Sequence, residues 1–221
     1  MDNVLLGITV ALAILDWYAA DRNLPIEKFT KPGVLIFLLA WFSSQGGWSG
    51  ANLPFAMGLV FSLAGDTFLL WENRFFMPGL VSFLLAHICY IIGFNLSLPP
   101  FNLWTVVLIA VVAVIWLRGY TTIRRQMNRD PANAAMRLPV TVYTLVISLM
   151  VLSAVLCLTK PDWRFNAALL ASLGGGMFFL SDFILANEHF GRPFYKSHTI
   201  VMVTYHIAQI AIIASVVMHK I

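Results

Sequence analysis

The sequence predicts an all-α fold, a polytopic membrane bundle of about eight transmembrane helices. Three observations carry that prediction. Of 221 residues, 60% are hydrophobic and only 11% charged, whereas soluble domains carry about 25% charged residues. The apolar residues gather in eight runs, each close to the ~20 helical residues that cross a hydrocarbon core of roughly 30 Å. The charged residues fall almost entirely between the runs. Eight crossings with short connections use the whole length, so residues 1–221 read as a single transmembrane helical domain with no soluble one.

The runs, in order, are 4–20, 32–48, 53–71, 78–96, 102–118, 138–158, 165–186 and 199–218. The first follows Met1-Asp2-Asn3. It lacks a basic n-region and a small-residue cleavage site, so it reads as a membrane helix and not as a removable signal. The second is the weakest of the eight, because it ends in the polar stretch Ser43-Ser44-Gln45-Gly46-Gly47. The third and seventh each carry an aspartate, and the fourth and eighth each carry histidine and tyrosine. Gly174-Gly175-Gly176 lies inside the seventh run and reads as a close-packing surface, not a phosphate loop. Pro32, Pro78 and Pro139 sit where the second, fourth and sixth runs begin, a position that tolerates the missing N–H. Trp17, Trp41, Trp48, Trp71, Trp104, Trp116 and Trp163 fall near run ends, as expected of an interfacial aromatic belt. Cys89 and Cys157 both lie in apolar runs and read as packing residues, not a disulfide.

Eleven of the fourteen Lys and Arg residues lie in the odd-numbered connections. Arg118, Arg124, Arg125, Arg129 and Arg137 supply the main basic loop. The positive-inside rule then puts these connections in the cytoplasm and both termini on the non-cytoplasmic side. The expected location is the inner (cell) membrane of a bacterium. The basic residues determine topology, so no nucleic-acid partner is expected; the expected surroundings are membrane lipid. The oligomeric state is left open.

Gly65-Asp66-Thr67-Phe68-Leu69-Leu70 in the third run parallels Leu180-Ser181-Asp182-Phe183-Ile184-Leu185 in the seventh. Each is followed by a His and a Tyr, His87 with Tyr90 and then Tyr205 with His206. This suggests an internal repeat of 1–98 and 99–221, two parallel four-helix units with a site between them.

Of ten acidic residues only Asp16, Asp66 and Asp182 fall within runs. An acid at membrane depth is expensive and marks a functional site by default. Asp66 and Asp182 sit about five residues before the ends of their runs, on stripes of small residues (Gly58, Ser62, Gly65; Gly175, Ser181) that face neighbouring helices. No Lys or Arg is expected deep in a run to pair with them. His87, Tyr90, Tyr143, Tyr205, His206, Gln209, Ser62, Ser181 and Asp16 are the expected polar surroundings, with Lys31 at the mouth. His189, His198 and His219, at ends and loops, are expected to be solvated. Two Asp and two His on separate helices lack local metal-ligand spacing, so neither a metal nor another cofactor is expected. Composition alone fits a catalytic acid pair, a transporter of lipid or protons using the same acids as a relay, and a non-catalytic lipid-binding protein.

The stretches Ser62-Leu63-Ala64-Gly65-Asp66, Phe76-Met77-Pro78-Gly79 and Phe83-Leu84-Leu85-Ala86-His87-Ile88-Cys89-Tyr90 resemble the YhhN family, which includes the eukaryotic lysoplasmalogenases. Phe179-Leu180-Ser181-Asp182, Val203-Thr204-Tyr205-His206-Ile207-Ala208-Gln209, Lys31-Pro32 and the stretch from Pro139 to Tyr143 resemble it too. The resemblance covers about residues 28 to 215. It implies hydrolysis of the vinyl ether bond of lysoplasmalogens to a fatty aldehyde and glycerophosphoethanolamine or glycerophosphocholine. It also implies that Asp66 and Asp182 are the catalytic pair, in general acid and base roles. The headgroup would then rest near Lys31, Arg192 or Lys196.

Overall fold

The computed structural model describes residues 2–219. Backbone polar groups in hydrocarbon must be satisfied within the segment, which leaves the helix as the unit of construction. Eight long helices result among the described residues: α1 (Asp2–Arg22), α2 (Glu27–Ser44), α3 (Leu53–Leu69), α4 (Glu72–Phe94), α5 (Leu103–Met127), α6 (Arg137–Leu156), α7 (Phe165–Phe190) and α8 (Ser197–His219). No strand occurs among the described residues. Among the described residues, seven helices are long and apolar enough to cross a membrane. The exception is α2, whose first five residues include Glu27, Lys28 and Lys31. It is nonetheless packed into the bundle, with Val34, Leu35, Leu38 and Phe42 at 0% exposure. The chain is a multi-pass membrane protein.

Several helix ends differ from the sequence expectation, each for a local reason. Helix α2 starts at Glu27, so Pro32 lies inside it and not at its beginning. Helix α4 starts at Glu72, kinks at Phe75 and has Pro78 just beyond the kink. Helix α5 runs on to Met127 because Ile123 and Met127, one turn apart, bury against Val140 and Phe190. Arg118, Arg124 and Arg125 are therefore helical residues and not loop. Helix α7 likewise continues to Phe190, so Asp182 lies eight residues from its end and Asp66 three from the end of α3. The tryptophans do not form a uniform belt. Trp48, Trp71 and Trp104 are exposed, but Trp41 and Trp163 are buried. Cys89 and Cys157 are unpaired thiols.

Helix α3 packs along α4, α7 along α8, and α1 along α2; α6 joins α4, α5 and α7. Helix α8 is the central strut, 67% of its span buried, while α5 at 11% stands at the rim. Small residues permit the close approaches. A Cβ on Gly174 would lie 2.9 Å from the Ile212 nitrogen and 3.0 Å from the Ala208 oxygen, both backbone atoms of α8. A Cβ on Gly58 would lie 2.2 Å from the Tyr90 ring.

At one end of the bundle the buried Lys160, 3% exposed, donates to the carbonyls of Phe94 and Ser97. The Phe94 carbonyl is left over where α4 stops and Ser97 lies just beyond the helix, so the ammonium closes a helix C-terminus. Burial pulls the Lys160 ammonium below the ordinary lysine value. Alongside, the Ser97 hydroxyl donates to Asp162 at 2.7 Å and holds that carboxyl below its usual range. Lys160→Met leaves two carbonyls short of a donor. It is expected to lower stability by about 1–3 kcal/mol, read as a lower unfolding temperature of the detergent-solubilised protein. Lys160→Arg should recover part of the loss, and no loss in the Met variant would show that the cap is dispensable.

Candidate active site

Asp66 and Asp182 face a common cavity, which is also lined by Lys31, Phe83, Ser181, Glu188, His198 and Tyr205. Helices α2, α3, α4, α7 and α8 all contribute to it. Each acid is fixed by two neighbours. Asp66, 1% exposed, accepts the Tyr205 hydroxyl of α8 on Oδ2 at 2.9 Å, and its Oδ1 lies 3.6 Å from the Lys31 ammonium of α2. Asp182 accepts the Tyr143 hydroxyl of α6 on Oδ2. His87 of α4 places Nε2 3.3 Å from that same oxygen and 3.1 Å from the Tyr143 hydroxyl. Tyr143 spends its proton on the carboxyl Oδ2, so its oxygen can accept from His87; the consistent arrangement has the imidazole proton on Nε2.

The pairing is reciprocal. The aspartate of α3 takes its tyrosine from α8, and the aspartate of α7 takes its histidine from α4. The remaining partners come from α2 and α6. The charges differ, however: Asp66 faces an ammonium, and Asp182 a phenol and an imidazole. The expectation that no basic residue reaches the acids is corrected here. Lys31 does, because α2 begins a full turn before Pro32 and carries it into the bundle at 7% exposure.

A second cavity lies against α5. Its walls are almost wholly apolar, among them Phe76, Leu80, Ile123, Ile147, Phe179 and Phe183. Asp182, Phe83 and Leu185 line both cavities. Asp182 therefore stands where an apolar chamber meets a charged one.

Of the remaining expected residues, Ser181 lines the polar cavity, and Tyr90, Gln209, Ser62, His206 and Asp16 line neither cavity. Tyr90 donates to Gln209 at 2.7 Å, a buried tie between α4 and α8. Ser181 bonds the Val201 carbonyl at 3.1 Å. Ser62 is buried one turn before Asp66. Asp16, at 0% exposure, is outside the cavity lining, in a separate network. It accepts the Thr30 hydroxyl at 2.6 Å and lies 3.8 Å from His206 Nδ1. The Trp17 indole donates to that same nitrogen at 3.2 Å, so the ring proton sits on Nε2 and His206 is neutral. Among the described residues, Asp66 Oδ1, Ser62 Oγ, His87 Nδ1, His206 Nε2 and Gln209 Nε2 are buried without a hydrogen-bond partner.

Sequence reasoning missed Thr30 and Trp17, whose roles depend on helix pairing and not on spacing. It also treated three histidines as solvated. His198 is bonded to Glu27 at 2.6 Å and lines the polar cavity. His189 stacks on Phe76 at 3.7 Å and His219 on Trp163 at 4.1 Å. Neither Arg192 nor Lys196 lines the cavity. Lys196 is instead paired with Asp21 at 2.6 Å, which holds its ammonium above the ordinary lysine value.

No solved structure matches the chain. Sequence relatives do. Human "Lysoplasmalogenase TMEM86A" is 32% identical over 166 residues, 73% of this chain but only 64% of the human protein. Human "Lysoplasmalogenase TMEM86B" is 30% identical over 204 residues, 91% of this chain and 76% of the relative. "Uncharacterized membrane protein YhhN" of Escherichia coli O157:H7 is 24% identical, covering 82% of each chain. The YhhN family profile matches residues 26–216, a stretch that includes both aspartates and every residue bonded to them. By that match the chain belongs to the YhhN family.

Proposed function

We propose that this protein is a membrane-embedded hydrolase that cleaves the vinyl ether bond of lysoplasmalogens, releasing a fatty aldehyde and a glycerophospho-alcohol. The observation that carries the reading is Asp182 at the junction of an apolar chamber and a cavity containing a second, differently partnered acid. The names of the human relatives point to the same substrate class. The alkenyl chain occupies the apolar cavity and the glycerophospho portion the polar one, with the vinyl ether beside Asp182.

Vinyl ether hydrolysis needs a proton on the β-carbon and then water on the adjoining oxocarbenium carbon. Asp182, bonded to its protein neighbours through Oδ2, is the acid and delivers the first proton. Asp66, facing Lys31, is the carboxylate: it offsets the cation and takes a proton from the attacking water. The hemiacetal then collapses. Asp66 returns its proton to the glyceryl oxygen, and Asp182 takes the hemiacetal hydroxyl proton. Both acids end as they began, and the sum is one vinyl ether plus one water. The division of labour follows that of inverting glycosidases. On the same reading, residues 1–98 and 99–221 are two related halves whose matching acids have acquired opposite roles. Both termini lie on the non-cytoplasmic side of a bacterial inner membrane.

The test is aldehyde release by purified protein from 1-alkenyl-lysophosphatidylethanolamine, with the 1-alkyl ether as control. Turnover of the alkenyl lipid alone is expected. Absence of aldehyde would remove the hydrolase reading and move the acids toward a proton or lipid relay.

A further inference from the structure

Asp16 is a buried acid that the reaction above does not use. Helix α1, which carries it, contributes no residue to either cavity. Its side chains nonetheless reach the two helices that hold Asp66. Asp16 accepts the Thr30 hydroxyl of α2 at 2.6 Å. The next residue, Trp17, donates its indole N–H to His206 of α8 at 3.2 Å. Thr30 immediately precedes Lys31, and His206 immediately follows Tyr205. Lys31 and Tyr205 are the two neighbours of Asp66, at 3.6 and 2.9 Å. Each of these consecutive pairs therefore has one member on Asp66 and the other on α1.

We propose, resting on the function above, that Asp16 is a positioning residue: through Thr30 it fixes the rotation of α2 and so places the Lys31 ammonium beside Asp66. Successive residues on an α-helix point about 100° apart, so a bond at Thr30 sets the direction in which Lys31 leaves the helix. The first turn of α2 depends on such a bond. Pro32 lies inside the helix and offers no N–H to the Lys28 carbonyl, which loosens residues 27–31 from the turns that follow. That first turn also has no side-chain cap. It is held from outside instead, at Thr30 by Asp16 and at Glu27 by His198 of α8 at 2.6 Å. The His198 tie is partly open to solvent, whereas the Asp16 tie is buried at both ends and adjoins Lys31. Without it the ammonium swings away from Asp66, and the carboxylate that takes the proton from water loses its cation.

The test pairs turnover with a readout that needs no substrate, both on the full-length protein in detergent. Thr30→Val is expected to lower kcat for the alkenyl lipid about fivefold, the worth of one hydrogen bond, with KM unchanged. Thr30→Ser should recover most of the loss. Asp16→Leu breaks the same bond from the other side and should match Thr30→Val, and Asp16→Asn, which can still accept the hydroxyl, should recover most of what Asp16→Leu loses. In a Lys31→Met background Thr30→Val should cost nothing further, because the group it places is gone. Modification of Lys31 by an amine-reactive reagent, located by mass spectrometry with the exposed Lys28 as reference, should be about fivefold faster in Thr30→Val than in the wild type. Wild-type kcat and labelling in Thr30→Val, or the same loss with and without Lys31, would overturn the proposal. So would an Asp16→Asn variant as inactive as Asp16→Leu, which would make Asp16 a proton carrier. If the wild type releases no aldehyde, faster Lys31 labelling in Thr30→Val keeps the positioning role and discards the hydrolase, and unchanged labelling discards both.

Discussion

Asp182→Asn is expected to lower the turnover number for aldehyde release by about 10³-fold, within the range for losing a general acid, while KM changes little. The amide keeps the size of the carboxyl and can still accept the Tyr143 hydroxyl that Asp182 accepts. It cannot carry a transferable proton. The substrate rests on apolar walls and on Lys31, which the substitution does not touch, so the loss belongs to the transition state and not to binding. Steady-state kinetics on the alkenyl lipid, with unfolding temperature as a check on the fold, measures it. Retention of a tenth or more of wild-type turnover would mean that the proton comes from another group. Tyr143→Phe removes one bond to the same oxygen and should cost less, about tenfold.

Asp66→Asn is expected to damage stability as well as activity. The Lys31 side chain is 9% exposed and that of Asp66 1% exposed. Removing one member of a buried pair strands the other, at a cost of about 3–5 kcal/mol. Adding Lys31→Met takes away the stranded charge and should recover most of the unfolding temperature. It should not recover turnover, because no carboxylate remains to take the proton from water. Thermal unfolding of the two single variants and the double variant in one detergent gives the answer. If Asp66→Asn is as stable as the wild type, the ammonium has found another partner and the assigned pairing is wrong.

The spans were legible because hydropathy reports burial in lipid directly. The ends were not. Glu27 to Lys31, Thr121 to Met127 and Asn187 to Phe190 are all helical, the last two packed in one cluster with Val140, and polarity alone reads such stretches as connections. That misreading hid Lys31: taking Pro32 as the start of a helix put the lysine at the interface and left Asp66 without its cation. The polar residues of the site stood out because Asp, His, Tyr and Gln are conspicuous in apolar runs. Their partners did not, since Tyr205 to Asp66 and His87 to Asp182 are contacts between helices distant in sequence. Thr30, Trp17 and Lys160 look ordinary in sequence, and their importance comes only from the carboxylate, imidazole and carbonyls set opposite them.

The meeting of an apolar and a charged chamber at Asp182 also governs the fate of the products. On the proposed function, one lipid becomes two molecules that prefer opposite phases. The aldehyde forms with its chain already beside α5, the helix least covered by protein, and dissolves in the bilayer. The glycerophospho-amine, stripped of its chain, is a water-soluble ion pair with nothing to keep it at the membrane. The products separate by partitioning as soon as they form, so re-encounter is rare and the net flux runs one way without input from a coupled energy source.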